Sequence, residues 1–268
     1  MTSPSHSPRL HRFLFAPVDI GCLVFVRIVF GAAMLWEVCR YFVGDWISHD
    51  FIEPVMHFTY FGFDWVRPWP GVGMYIHFAV LGIAALCVLL GLFYRVAATV
   101  FFLGFTYVFL LDEALYLNHF YLVCLLSFLL IFVPAERAFS LDARRRPQIR
   151  TKVAPAWAMW LLRAQIGIAY FFGGIAKLNA DWFQGEPLRA WLTERTDFPV
   201  IGQFFHEEWM VYMFVIGGVL LDLLVVPLML WKPTRLLAFL AATSFHLLNA
   251  RLFNIGVFPW LMLAATVV

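Results

Sequence analysis

Lys177 closes an otherwise apolar run, Leu161-Leu-Arg-Ala-Gln-Ile-Gly-Ile-Ala-Tyr-Phe-Phe-Gly-Gly-Ile-Ala-Lys177, and is followed at once by Leu178-Asn-Ala-Asp-Trp182. Taking water away from a primary amine disfavours its charged form, so an amine placed here is suited to work as a base near neutral pH. Tyr170, Gly173, Gly174 and Lys177 are spaced to share one stripe of a helix, and the two glycines leave room beneath the amine for a neighbouring helix or a flat ligand. Two imidazoles are the natural companions: His119, preceded by Asn118, and His246, three residues from Asn249 and so on the same helical face. Each residue also has a plainer reading. Lys177 could snorkel and pair with Asp181, His119 could be a helix-end histidine, His246 a buried hydrogen-bonded group and Asn118 a helix cap. Lys before Asp is the weaker i,i+4 order, however, and Asn179 and Trp182 suggest a turn instead.

These side chains must be positioned by helices in a bilayer. Hydrophobic residues make up 63% of the 268, and only 13% are charged; mean hydropathy is +0.81. That composition is far from that of a soluble globular chain. Lipid cannot satisfy exposed backbone polar groups, so apolar stretches of about 17 to 25 residues cross as helices. Eight stretches are expected, at 18–40, 72–92, 95–112, 117–133, 156–178, 209–231, 235–250 and 253–268. The predicted class is an all-α polytopic membrane protein. Residues 1–16 are expected to form a disordered cytoplasmic tail, and 17–268 a single transmembrane domain. With the N-terminus inside, Arg9, Arg12, Arg95, Arg137, Arg144, Arg145, Arg146, Arg150, Lys152, Lys232 and Arg235 all fall in the cytoplasm, more than half of the 19 basic residues. The positive-inside rule therefore places both termini in the cytoplasm. The Arg144-Arg-Arg146 run is topogenic on this reading, and nucleic acid is excluded as a partner. The outer loops, about 41–71 and 179–208, are rich in Trp, Phe and Pro and are expected to cap the membrane interface.

Polar groups inside the spans then sort by depth. Asp112, Glu113, Asn118, His119, Lys177, Asn179, Asp181, His246 and Asn249 arrive at the outer ends of four segments, and one outward-opening pocket explains that coincidence economically. Its expected catalytic residues are Lys177, His119 and His246. Asn118, Tyr170, Gly173, Gly174, Asp181, Trp182 and Asn249 are expected to line it, while Asp112 and Glu113 read as solvated loop residues. A second layer toward the cytoplasm holds Arg27, Arg163, Gln165 and Asp222. There Asp222 is expected to form a structural ion pair with Arg163 or Arg27, a proton path being the alternative. Cys22, Cys39, Cys87 and Cys124 lack a Cys-x-x-Cys spacing and read as small core residues. No metal-ligand spacing, nucleophile elbow, phosphate loop or dinucleotide fingerprint is present, so no metal is expected.

At these residues the chain resembles the vitamin K-dependent gamma-carboxylase transmembrane domain family, also called the horizontally transferred transmembrane domain. The resemblance runs through Pro17-Val-Asp19, Arg27-Ile-Val-Phe-Gly31, Leu90-Gly-Leu-Phe-Tyr-Arg95, Tyr107-Val-Phe-Leu-Leu-Asp112 and Asn118-His119-Phe-Tyr-Leu122. It continues in Leu162-Arg-Ala-Gln-Ile166, Tyr170-Phe, Lys177-Leu-Asn-Ala-Asp-Trp182, Ser244-Phe-His246, Asn249 and Leu252-Phe-Asn-Ile-Gly256. It implies a quinol-driven carboxylase, whose cofactor is reduced vitamin K, menaquinol or phylloquinol, with O2 and CO2 as co-substrates. In that family a lysine corresponding to Lys177 deprotonates the quinol. Oxygen then converts the quinol into a strong base on its way to the epoxide, and that base removes the gamma proton of a glutamate, whose carbanion adds to CO2. The position of His119 is associated with the carboxylation half, and His246 falls on another site histidine. Implied partners are membrane lipids, quinone, and a peptide or protein substrate or a separate recognition subunit. The implied location is a bacterial inner membrane with the site facing the periplasm. Two departures stand out. The large lumenal region of the vertebrate enzymes is expected to be missing after Val268, and Ala176 stands where they carry a second lysine. Quinol oxidation is therefore expected to survive more surely than glutamate carboxylation. Two other classes fit the same cavity: a non-catalytic quinone or lipid binder, and a proton-coupled transporter, against which the lack of an internal repeat weighs.

Overall fold

Long runs of apolar residues have one way of pairing every backbone N–H and C=O without water, the α-helix, and the protein is 71% helical. The computed structural model describes residues 9–253 and 255–267. Helices stand on all eight expected stretches: α2 Gly21–Val43, α3 Gly73–Leu90, α4 Tyr94–Phe109, α5 Asn118–Phe132, α7 Ala156–Ala176, α10 Glu208–Leu230, α11 Arg235–Leu252 and α12 Phe258–Ala265. Between and before them lie the short helices α1 Arg9–Leu14, α6 Leu141–Arg145, α8 Ala180–Phe183 and α9 Leu188–Thr193, and the strands β1 Pro17–Asp19 and β2 Val153–Pro155. Among the described residues four helices, α2, α3, α7 and α10, are long and apolar enough to cross a bilayer. Helices α4 and α5 are shorter at 16 and 15 residues. Helix α11 carries Arg235, His246, Asn249 and Arg251 within 18 residues, and α12 has only eight. Large apolar side chains face outward along these helices, among them Ile83, Leu103, Phe172, Leu236 and Leu237. Water would penalise such a surface, so this is a membrane protein.

The chain packs as two compact units, one comprising the residues up to Arg163 together with Val267 and the other spanning Ala164–Thr266, with the division inside α7. In the first unit α2 and α3 pack most closely, because Gly31 brings the helix backbones together. A Cβ at Gly31 would stand 2.5 Å from the backbone nitrogen of Leu89. Strands β1 and β2 pair antiparallel, with Val18 opposite Ala154. The segment expected to be a disordered tail contains α1 at residues 9–14, while residues 1–8 lie outside the described residues. The basic connection after α5 is ordered by buried Asp142, whose carboxylate accepts from the amides of Phe93 (3.1 Å) and Tyr94 (2.9 Å) and so satisfies the start of α4. Fully buried Arg27 donates from Nη2 to the Phe139 carbonyl at 2.6 Å, tying this connection to α2.

The connection between α2 and α3 is held the same way. Asp112 is only 8% exposed. It accepts from the amides of Phe58 (3.3 Å) and Ala114 (2.9 Å) and bonds His57 Nδ1 at 3.1 Å. The expectation that Asp112 is a solvated loop residue is therefore corrected: a carboxylate at a helix end serves the orphan amides of two segments at once.

In the second unit the connection after α7 folds along the first half of α10 and the end of α11. Leu188, Leu192 and Phe205 pack with Met210, Val211, Val215 and Leu252. The guanidinium of Arg195 donates to the carbonyls of Arg251 and Leu252 and so closes the C-terminal end of α11. Arg189 forks onto both carboxylate oxygens of Glu208 at 2.9 Å and reaches Glu186 at 2.7 Å, joining α9 to the start of α10. Glu208 first, and Glu186 with it, hold the Arg189 guanidinium above its already high ordinary pKa.

Candidate functional site

The site in the second unit begins where α7 stops. Its last turn tightens, with the Lys177 amide bonding the Gly174 carbonyl at 3.1 Å and that of Leu178 bonding Ile175 at 2.9 Å. Asn179 is then extended and its side chain accepts from the Trp182 amide at 2.9 Å, capping α8. This turn separates Lys177 from Asp181, which is exposed, so the simple i,i+4 pair does not form. Lys177 instead reaches back along α7. Its Nζ donates to the Gly173 carbonyl at 3.2 Å and to Asp222 Oδ2 at 2.5 Å.

Asp222 was assigned from sequence to a deeper layer, as the partner of Arg163 or Arg27. Its partner is Lys177. Asp222 lies roughly 20 Å along α10 from Glu208 at 1.5 Å per residue, so the end of α7 is level with the interior of α10. The amine therefore does not mark an outer edge. The folded-back connection with α8 and α9 packs on the first half of α10, through Leu188, Leu192 and Phe205 against Met210, Val211 and Val215. Arg163, meanwhile, lies over the Trp160 ring at 4.9 Å, and Arg27 serves the Phe139 carbonyl.

The glycine stripe has a definite occupant. A Cβ at Gly173 would lie 3.3 Å from the Asp222 carboxylate, and one at Gly174 would stand 2.5 Å from Leu223 Cδ2. The glycines thus admit α10 and seat its carboxylate on α7. Tyr170 lies one turn before Gly173 and is buried, and its hydroxyl bonds His246 Nε2 at 2.6 Å. His246 is 1% exposed and is walled by the rings of Phe245 and Phe258. Among the described residues its Nδ1 has no hydrogen-bond partner, an orphaned buried polar atom that ordinarily carries a free-energy cost. Asn249, half-buried, is three residues further along the same face of α11. Trp182 stands beside the amine, its ring centroid 5.3 Å from Nζ, and is fixed by its own Nε1 donating to the Val215 carbonyl at 3.1 Å. The side chains of Lys177 and Asp222 are 23% and 8% exposed. Whichever of the two carries the proton, the pair is neutral overall, which is how two ionisable groups are tolerated there.

Asn118 and His119 belong to the first unit. Asn118 opens α5, is exposed and accepts from the Tyr116 hydroxyl at 3.0 Å. His119, half-buried with its ring 4.8 Å from that of Phe120, is within electrostatic reach of Arg40. Sequence reasoning passed over that arginine's surroundings. Its guanidinium stacks against Trp36 and Trp46, at 5.3 and 4.9 Å, and bonds buried Glu37 at 2.8 Å. The spacing of Glu37 and Arg40, three apart on one helix, was a signal that could have marked them. All four cysteines are free thiols.

These features define a helical membrane protein with a partly buried amine–carboxylate pair next to a buried tyrosine–histidine pair. A family model described as the HTTM domain matches residues 15–268, nearly the whole chain. The chain belongs to the HTTM family, which is associated with vitamin K-dependent carboxylase-like membrane proteins. No solved structure gives a significant match.

Proposed function

We propose that this protein is an integral-membrane, vitamin K- or menaquinol-dependent carboxylase-like enzyme, with Lys177 as the base that takes the quinol's phenolic proton. The observation that carries the reading is the 2.5 Å contact of Lys177 Nζ with Asp222, in a setting with little water and next to Tyr170 and His246. An amine can accept a proton only after giving one up, and the Asp222 carboxylate is the adjoining group able to hold it. Passing the Nζ proton to Oδ2 leaves an amine with a free lone pair and a neutral carboxylic acid, so no net charge is created in the low-dielectric site. The amine is then positioned to act as a general base.

The residues fit a phenolic ligand. Trp182 offers an aromatic face beside Nζ, and the orphaned Nδ1 of buried His246 suits a hydroxyl or carbonyl oxygen. When bound, the quinol supplies with O2 the strong base that carbon deprotonation requires. Such a base survives only where water is excluded, and Asp222 and Tyr170 are buried beside Lys177. The family resemblance associates His119 of the first unit with the carboxylation half, and Asp181 and Asn249 are assigned to the pocket around Lys177. A single family match running through both compact units supports reading 17–268 as one transmembrane domain. Eight crossings, cytoplasmic termini and a periplasmic site in a bacterial inner membrane complete the proposal, supported by the distribution of Lys and Arg.

Incubating purified protein with menaquinol or reduced vitamin K, O2 and labelled bicarbonate tests both halves separately. Quinone epoxide and acid-stable fixed label are expected in the presence of a glutamate-containing acceptor, and epoxide without label would retain only the quinol half. A second reading is favoured by one observation: Nζ already has two acceptors, Gly173 O and Asp222, as a purely structural clamp would. On that reading the protein binds quinone without turnover, and quinol would titrate the protein with no oxygen uptake.

A further inference from the structure

The clearest unassigned feature lies in the first unit, at the basic connection. A cleft of about 490 Å³ beside the β1–β2 ladder is lined by the polar side chains Arg137, Gln148 and Arg150 and by the apolar Phe15, Ile149 and Val153. Its walls are fixed. The Thr151 amide bonds the Arg137 carbonyl at 3.1 Å, holding the two arginine-bearing segments together, and β2 is registered against β1.

The charges in this region are unevenly matched. Arg95 is paired with Glu136 at 3.5 Å and Arg146 with Asp142 at 3.6 Å. Arg137 and Arg150 have no ion-pair partner among the described residues, and both line the cleft. Two arginines lining one cavity, neither of them ion-paired among the described residues, suit a phosphate, whose oxygens accept from guanidinium N–H groups. Phe15 and Val153, which line the same cleft, are 55% and 47% exposed. A free anion would leave that apolar surface wet, whereas the glycerol and first methylenes of a lipid would cover it.

We propose that this cleft binds the phosphate of an anionic phospholipid headgroup between Arg137 and Arg150, with the lipid's glycerol region against Phe15 and Val153. The surrounding run Arg144, Arg145, Arg146 and Lys152 raises the local concentration of anionic lipid, and the cleft selects one molecule from it. The site is independent of the quinol chemistry and would persist in a protein without turnover.

The test is binding of fluorescent phosphatidylglycerol to detergent-purified full-length protein. Losing two charge-assisted contacts in Arg137→Gln/Arg150→Gln should weaken it about tenfold or more, while Arg144→Gln/Arg145→Gln, which removes the same charge outside the cleft, should change it about twofold or less. Val153→Trp keeps every charge but fills the apolar side, and should also weaken binding; it decides the matter if the double arginine variant does not fold. Equal loss in both double variants, unchanged binding in Val153→Trp, equal affinity for phosphatidylcholine, or full competition by soluble glycerol phosphate would each overturn the proposal.

Discussion

The two hydrogen bonds that matter most join residues far apart in sequence: Lys177 to Asp222 and Tyr170 to His246. Removing one partner of a buried pair leaves the other uncompensated, which costs about 3–5 kcal/mol. Asp222→Asn should therefore lower the thermal midpoint in detergent, and should reduce quinol oxidation by roughly 10²-fold or more by withdrawing the acceptor for the Nζ proton. The double change Lys177→Met/Asp222→Leu should recover most of the stability with none of the activity, since well-packed apolar residues replace an ion pair at little cost. Recovery of activity in the double variant would show that the pair is scaffolding. Tyr170→Phe leaves both ring nitrogens of His246 without a protein partner and should destabilise by about 1–3 kcal/mol, read by thermal unfolding. Lys177, Tyr170 and His246 were visible in the sequence because a charged or polar group within an apolar helix is rare and must be used. Asp222 was visible too, but not its partner. Depth was judged from each helix's own ends, and the early stop of α7 at Asn179 shifts Lys177 by several turns relative to α10.

At the scale of elements, α7 and α10 approach because Gly174 lacks a side chain at the contact with Leu223. Gly174→Leu should force the helices apart, costing about 1–3 kcal/mol by overpacking and lengthening the Lys177–Asp222 contact. Lower thermal stability together with lost quinol turnover is expected, and unchanged values for both would remove the glycine from the account. The helices themselves were legible: apolar runs bounded by Gly, Pro and charged residues locate α2 to α5, α7, α10 and α11 to within a few residues. The connections were legible only in outline. Their Trp, Phe and Pro content indicated caps, yet the role of Asp112 in pinning residues 57 and 58 depends on a contact between segments some 55 positions apart, which no local pattern records. The same holds for Arg27, whose span-embedded charge suggested an intramembrane ion pair and whose side chain anchors a connecting segment at Phe139.

For the molecule as a whole, composition alone indicated a membrane protein, and the family match across residues 15–268 agrees with the resemblance carried by the scattered motifs. Among the described residues four helices meet the length and apolarity of a bilayer span without help, whereas α12 has eight residues and would need its flanking segments to complete a crossing. The sides of the membrane that the connections face can be read in intact bacterial cells with single cysteines added to a cysteine-free variant. A cysteine at Arg144 should be shielded from a membrane-impermeant maleimide, and one at Arg195 should be labelled. Labelling at both positions would refute the assignment of sides. The most direct test of the central claim is quinone epoxide formation by the purified, lipid-reconstituted protein supplied with menaquinol and O2, wild type beside Lys177→Ala. Epoxide from the wild type and none above background from the variant is the predicted result. Equal epoxide from both would contradict it.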